Sequence, residues 1–184
     1  MNDKPKVSYP LFESYVNKLK PSRSKAQLAL SQTNVFSRLS WQELKKVEHA
    51  VHVRHYGPNE AIFKQGDPGS GMYIIMEGSV GIFLDIPHQE PKKLSDLTEG
   101  DFFGEIALLD SSPRTAAAIA SENCSIIGFF RPDLMDLLKT KPALGSKILL
   151  SLSEVLATRL RSTNSELVRV SRVLEDIKES PENE

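Results

Sequence analysis

The spacing of apolar positions changes twice along the chain, and those changes divide it. Leu11, Phe12, Tyr15, Val16 and Leu19 recur at helical intervals before KPSRSK (20–25) interrupts them. A second helical stretch runs into VFSRLS, where Ser40 followed by Glu43 three residues on reads as a capping box opening WQELKKVEHA. From about 51 to 128 the period falls towards two. VHVRHY, AIFKQG, GMYIIMEGSVGIFLDI, KKLSDL and AAAIASENCSIIGF are short, rich in β-branched and aromatic residues, and separated by Gly, Pro, Asp and Asn. Such a series predicts an antiparallel barrel or double-sheet roll, with PHQEP (87–91) as an exposed hairpin loop. Beyond Pro132, which suits the first turn of a short helix, KTKP (139–142) precedes a long helix reaching about residue 178.

The long helix carries a further pattern. Alternating steps of four and three from Leu149 land on Ser153, Leu156, Leu160, Thr163, Leu167, Val170, Leu174 and Ile177. This heptad seam is interrupted by two small polar residues, and a helix of about 30 residues, roughly 45 Å, outruns a small barrel. A parallel coiled-coil homodimer is the expected use of the seam, against the alternative of one helix packed on its own barrel. The expected class is therefore α+β: an antiparallel β-roll or jelly-roll barrel flanked by N-terminal helices and a long C-terminal dimerisation helix. Its expected division is an N-terminal helical extension (1–32), the β-roll (33–140), the long helix (141–178) and an acidic tail (179–184).

Composition narrows the function. The chain has 184 residues, 40% hydrophobic and 26% charged, with a net charge of -1, so a buried core is available and coating nucleic acid or an anionic membrane is not its expected business. The single cysteine, Cys124, excludes an internal disulfide and reads as core. No apolar run approaches bilayer length, and MNDKPKVSYP lacks the features of a secretory signal, so the expected location is cytoplasmic. No nucleophile–base set appears, and no enzymatic activity is expected. His49, His52 and His55 recur every three residues without a carboxylate to complete a metal set, and no metal is expected there.

One stretch does suggest chemistry. GDFFGEIALLDSSPRTAAA (100–118) sets Glu105 and Arg114 nine positions apart among small and apolar residues. Gly104 allows close backbone approach, EIALL is helix-compatible, and a helix start offers free amides to an anion. Arg114 adds a planar cation suited to paired oxygens, and Glu105 can accept from hydroxyls. An anion beside a hydroxyl, as in a phosphorylated ribose, fits these parts. The competing expectation is that Glu105 and Arg114 merely bridge each other in a barrel without a ligand.

FGEIALLDSSPRTAA resembles the phosphate-binding cassette of the cyclic nucleotide-binding domain family, whose pattern is FGE(L/I)AL, a short spacer and PR(A/T)A. GDPGSGMYIIMEGSVGIF and PNEAIFKQG are similar to the family's preceding strands, and the likeness covers about residues 33 to 170. The resemblance implies that Glu105 accepts from the ribose 2′-hydroxyl. It also implies that Arg114 pairs with the cyclic phosphate beside the amides of Ile106 and Ala107, and that Gly104 keeps the wall close to the sugar. Thr115 and Ala116 close the cassette, while Ile82, Leu94 and Leu97 fall where the family places apolar residues around sugar and base. In related channels a threonine after the arginine donates to guanine, yet similar threonines occur in adenine-preferring domains. The ligand is therefore expected to be cAMP, with cGMP open, and no further cofactor is implied. LSEVLATRLRSTNSEL resembles the dimer helix of catabolite activator protein-like regulators, which implies that Thr163 and Asn164 reach the base, one from the partner subunit. Those regulators continue into a helix-turn-helix, whereas only a few residues follow Ile177 here. The resemblance thus implies a stand-alone receptor that changes shape to regulate an unknown downstream protein, without direct DNA or membrane binding. Two alternatives stay open: a scaffold protein with an empty pocket, and a DNA-binding-deficient regulator forming mixed dimers.

Overall fold

The structure is a computed structural model and describes residues 23–179; the Leu11–Leu19 pattern and the acidic tail from residue 180 lie outside the described residues. Two short helices open it, α1 (Lys25–Gln32) and α2 (Trp41–Glu48), joined through a single 3₁₀ turn at Asn34–Phe36. Ser24 caps α1 by accepting from the amide of Gln27, and α2 begins at the expected capping box of Ser40 and Glu43.

Eight strands follow: β1 (His52–Tyr56), β2 (Ala61–Phe63), β3 (Gly71–Glu77), β4 (Val80–Leu84), β5 (Lys92–Leu97), β6 (Phe102–Phe103), β7 (Ala117–Ala120) and β8 (Cys124–Phe130). The four-residue helix α3 (Ile106–Leu109) lies between β6 and β7, and α4 (Arg131–Thr140) and α5 (Pro142–Glu179) complete the described chain. The strands form two four-stranded sheets, ordered β1-β8-β3-β6 and β2-β7-β4-β5, with antiparallel pairing throughout. This is the expected α+β roll with helices at its flank.

Strands β3 and β8 show why one sheet carries the whole assembly. Met72, Ile74 and Met76 of β3 and Ile127 and Phe129 of β8 pack against the helices. Their neighbours Tyr73, Ile75, Cys124 and Ile126 pack instead towards the second sheet, together with Val80, Phe103, Ala118 and Ala120. Both strands are thus apolar on both faces, since alternate side chains point to opposite sides and both sides are covered.

Helix α5 begins one residue after the end of α4, at Pro142, with Lys141 between them. Its first turns bury Leu144, Ile148 and Leu152 in the helical core beside Leu30, Phe36, Leu44 and Leu134. Two ion pairs fasten the same segment to the N-terminal region, Lys147 to Glu43 of α2 at 2.7 Å and Glu154 to Arg38, just before α2, at 2.8 Å. Past Leu156 the described helix side chains are exposed. Its 38 residues span roughly 57 Å at the α-helical rise. No described helix is long and apolar enough to cross a membrane.

Glu43 serves two elements at once. Its carboxylate accepts from Ser40 N–H at 2.8 Å and from Lys147 Nζ at 2.7 Å. Lys147 first, and the Ser40 amide second, pull its pKa from the ordinary 4.5 to about 2. A carboxylate held below its unfolded pKa stabilises the fold fully above that value and loses the contribution as pH falls towards the folded one. Urea titrations should therefore show wild type losing about 1 kcal/mol more stability than Glu43→Gln between about pH 5 and pH 2. Equal losses in the two proteins would contradict this role.

Candidate functional site

A cavity of about 310 Å³ opens between β4, β5, the α3 segment and the side of α5. Its arginine is seated before any ligand arrives. Arg114 is 7% exposed, and its guanidinium lies 4.2 Å above the ring of Phe63 and 5.6 Å from that of Tyr73. Phe63, Tyr73 and Phe103 pack on one another with centroids 5.5–5.8 Å apart, so the cation rests on a rigid aromatic shelf. The backbone is fixed as firmly: Arg114 N–H donates to Asp67 O at 2.8 Å, and Gly66 N–H donates to Arg114 O at 2.9 Å. Burial lowers the guanidinium pKa from its ordinary value, while Tyr73, Asp67 and Glu105 oppose that shift. The group stays charged at any physiological pH. Arg114 Nη1 donates to Gly104 O at 3.0 Å, and its buried Nε has no hydrogen-bond partner among the described residues. A buried, unpartnered donor on a cation is costly to maintain, and an anion in the cavity removes the cost.

Gly104 makes this approach possible. Its φ of +72° suits glycine, and a Cβ there would meet Arg114 Nη1 at 2.6 Å. Gly69 lets the β2–β3 loop close on the same segment, where a Cβ would meet Ser112 O at 2.7 Å and the Ala107 side chain at 2.9 Å. As the first residue of α3, Ile106 has an N–H beyond the reach of an intrahelical acceptor. Ala107 N–H donates to Gly104 O at 3.3 Å.

Glu105 is 3% exposed and does not bridge to Arg114. Its Oε1 pairs with Arg159 Nη1 of α5 at 2.6 Å. Arg159 also donates from Nη2 to Phe102 O at 3.2 Å, and its guanidinium lies 4.8 Å from the Phe102 ring. The long helix thus enters the cavity wall through one half-exposed side chain. Arg159 is not among the residues singled out in sequence. The available signal was its position one residue before the seam residue Leu160, on the helix segment that resembles a ligand-facing one.

Of the residues singled out in sequence, the cavity gathers Ile82, Leu97, Gly104, Glu105, Ile106, Ala107, Arg114, Thr115 and Ala116. It does not gather three. Leu94 is 51% exposed and outside the lining, because β5 turns the neighbouring Ser95 inward instead. Thr163 and Asn164 are exposed on α5, with Thr163 Oγ1 donating to Arg159 O at 3.0 Å, so neither lines this chain's cavity. Among the described residues no group of three His, Cys, Asp or Glu side chains could hold a metal ion.

The family described as Cyclic nucleotide-binding domain matches residues 53–141, the span of the roll and its cassette. This segment belongs to the cyclic nucleotide-binding domain family. The chain is 34% identical over 133 residues to the Cyclic AMP receptor protein of Thermus thermophilus, covering 72% of this chain and 60% of that one. It is 37% identical over 87 residues to the cAMP-dependent protein kinase regulatory subunit of Mycosarcoma maydis, covering 47% of this chain and 16% of that one. The chain therefore spans three-fifths or less of the length of these relatives. Among solved structures, the Catabolite Activator Protein of Thermus thermophilus aligns with a TM-score of 0.69 at 31% identity, over 76% of this chain and 63% of that one. The cyclic nucleotide-binding domain explains why a buried arginine, a positive-φ glycine and a buried carboxylate share one wall.

Gly104→Ala forces a side chain into the left-handed region and against Arg114. Denaturant unfolding should show a loss of about 1–2 kcal/mol. An unchanged midpoint would mean that the loop relaxes freely and does not clamp the arginine.

Proposed function

We propose that the chain is a receptor for cAMP, with cGMP the alternative ligand, and that it works as a homodimer whose long helix reports ligand binding to a partner protein. One observation carries this reading: Arg114 is buried on an aromatic shelf with an unpartnered Nε, beside an open cavity whose opposite charge, Glu105, is engaged elsewhere. Such an arrangement favours an anion that also carries a hydroxyl. The cyclic phosphate takes Arg114, the Ile106 amide and the close wall at Gly104. The ribose hydroxyl donates to Glu105, and the apolar Ile82 and Leu97 cover the base. The names of the relatives, a cyclic AMP receptor protein and cAMP-dependent kinase regulatory subunits, support cAMP before cGMP.

Arg159 supplies the link to the helix. A ligand hydroxyl donating to Glu105 changes what the carboxylate offers Arg159, so ligand and helix position share one group. A switch of this kind requires that the ligand bind one helix arrangement better than the other.

The dimer is supported by what α5 leaves uncovered. Leu160, Leu167, Val170, Leu174 and Ile177 follow the heptad seam and are 43–65% exposed in the single chain. An apolar stripe of this length, broken at Thr163, calls for a partner, and a second α5 in parallel fits it. In such a pair Thr163 and Asn164 lie at the seam, close to the partner subunit's cavity mouth.

Calorimetry with cAMP and cGMP, run beside light scattering on the same sample, tests the reading. Wild type should bind cAMP as a particle of two 20.5 kDa chains. Arg114→Ala should weaken binding at least ten- to a hundredfold, the loss of a charge-assisted contact. Heat from neither nucleotide would favour a scaffold with an empty pocket, and unchanged affinity in Arg114→Ala would reject the site.

A further inference from the structure

A guanidinium taken out of water ordinarily pairs with a carboxylate, which offsets its charge and takes up to two of its five N–H groups. Arg114 is held differently. Among the described residues no carboxylate forms an ion pair with it: Glu105 is bound to Arg159, and Asp67 meets Arg114 through its backbone carbonyl. What lies under the guanidinium instead is the ring of Phe63, centred 4.2 Å from Cζ. An aromatic face carries partial negative charge, so it attracts the cation without neutralising it.

The difference shows in the hydrogen bonds. Arg114 Nη1 donates to Gly104 O, and the buried Nε has no partner among the described residues. A ring contact consumes none of these donors, whereas a carboxylate in the same place would consume two. Phe63 is well placed to act this way. It ends β2, the three-residue edge strand that pairs only with β7 and shifts register between Ala61 and Phe63. Its ring is partly buried, lines the cavity, and packs against Tyr73 and Phe103 at 5.6 and 5.8 Å. Those two rings belong to β3 and β6 of the other sheet, so the seat bridges the sheets and is fixed from both.

We propose that Phe63 is a positioning residue for the anion: its ring holds the Arg114 guanidinium in place of a carboxylate, leaving the charge and the free N–H groups to the ligand's phosphate. The inference rests on the receptor reading above. Phe63 acts through Arg114 and not by touching the base or sugar. An aliphatic side chain of similar size fills the same space but offers no negative face, so the cation loses its seat while the cavity keeps its shape.

Calorimetry on the full chain, with cAMP and with ribose 3′,5′-cyclic phosphate lacking a base, tests this. Phe63→Leu and Phe63→Met should each weaken both probes alike, by about three- to thirtyfold, the scale of a desolvated cation–π contact. Phe63→Tyr, which keeps the ring, should bind both within about twofold of wild type. In an Arg114→Ala background, Phe63→Leu should cost less than about a further twofold in cAMP affinity, because the residue it serves is gone. A loss confined to cAMP, with the baseless probe unchanged, would mean that Phe63 packs on the base and overturns the assignment. So does an undiminished loss in the Arg114→Ala background, or no loss in either variant; all three outcomes leave the receptor reading in place. Failure of wild type to bind either probe overturns both.

Discussion

The pairing of Glu105 with Arg159 is the contact on which the arrangement turns. A carboxylate that is 3% exposed needs a charged partner or several donors, because removing it from water unpaired is costly. That partner comes not from the roll but from α5, and it also holds the carbonyl of Phe102. The cavity and the long helix are therefore joined through one buried anion. Arg114, by contrast, is fixed entirely from within the roll by Asp67, Gly66, Gly104 and the aromatic shelf. The two charges are kept separate, one held within the roll and one shared with α5.

The rest of the fold gives that link its context. Sheet β1-β8-β3-β6 is sandwiched, with the second sheet on one face and the helices on the other. The first turns of α5 are packed into the domain by Leu144, Ile148 and Leu152 and joined to it by ion pairs to Glu43 and Arg38. Beyond Leu156, Arg159 makes the polar contact with the cassette, and the exposed apolar stripe begins one residue later. Glu105 thus meets the helix at the junction between its packed and its exposed parts. Only the difference in ligand affinity between helix arrangements can drive a change of helix position.

Much of this was legible in the residues, for identifiable reasons. The capping box at Ser40 and the glycine-separated strands are local signals, read without knowledge of the fold. The cassette was legible because Gly104, Glu105 and Arg114 are close in sequence as well as in space. Leu94 was assigned to the wall and Ser95 overlooked because strand facing depends on register, and β4 and β5 shift register between Ile82 and Phe83. Arg159 was missed for a different reason. It lies 54 residues beyond Glu105, and nothing local distinguishes an arginine that enters a cavity from one that faces solvent. The buried faces of β3 and β8 share this character, since their continuous apolar runs identify strands but not which side meets the helices.

Amide hydrogen exchange along α5, with and without saturating cAMP, tests the coupling most directly when wild type is compared with Arg159→Ala. The account requires that cAMP alter protection over residues 155–179 in wild type. It also requires that the variant lose this response while calorimetry still detects bound nucleotide. Identical protection with and without ligand in wild type, or an undiminished response in the variant, would contradict it.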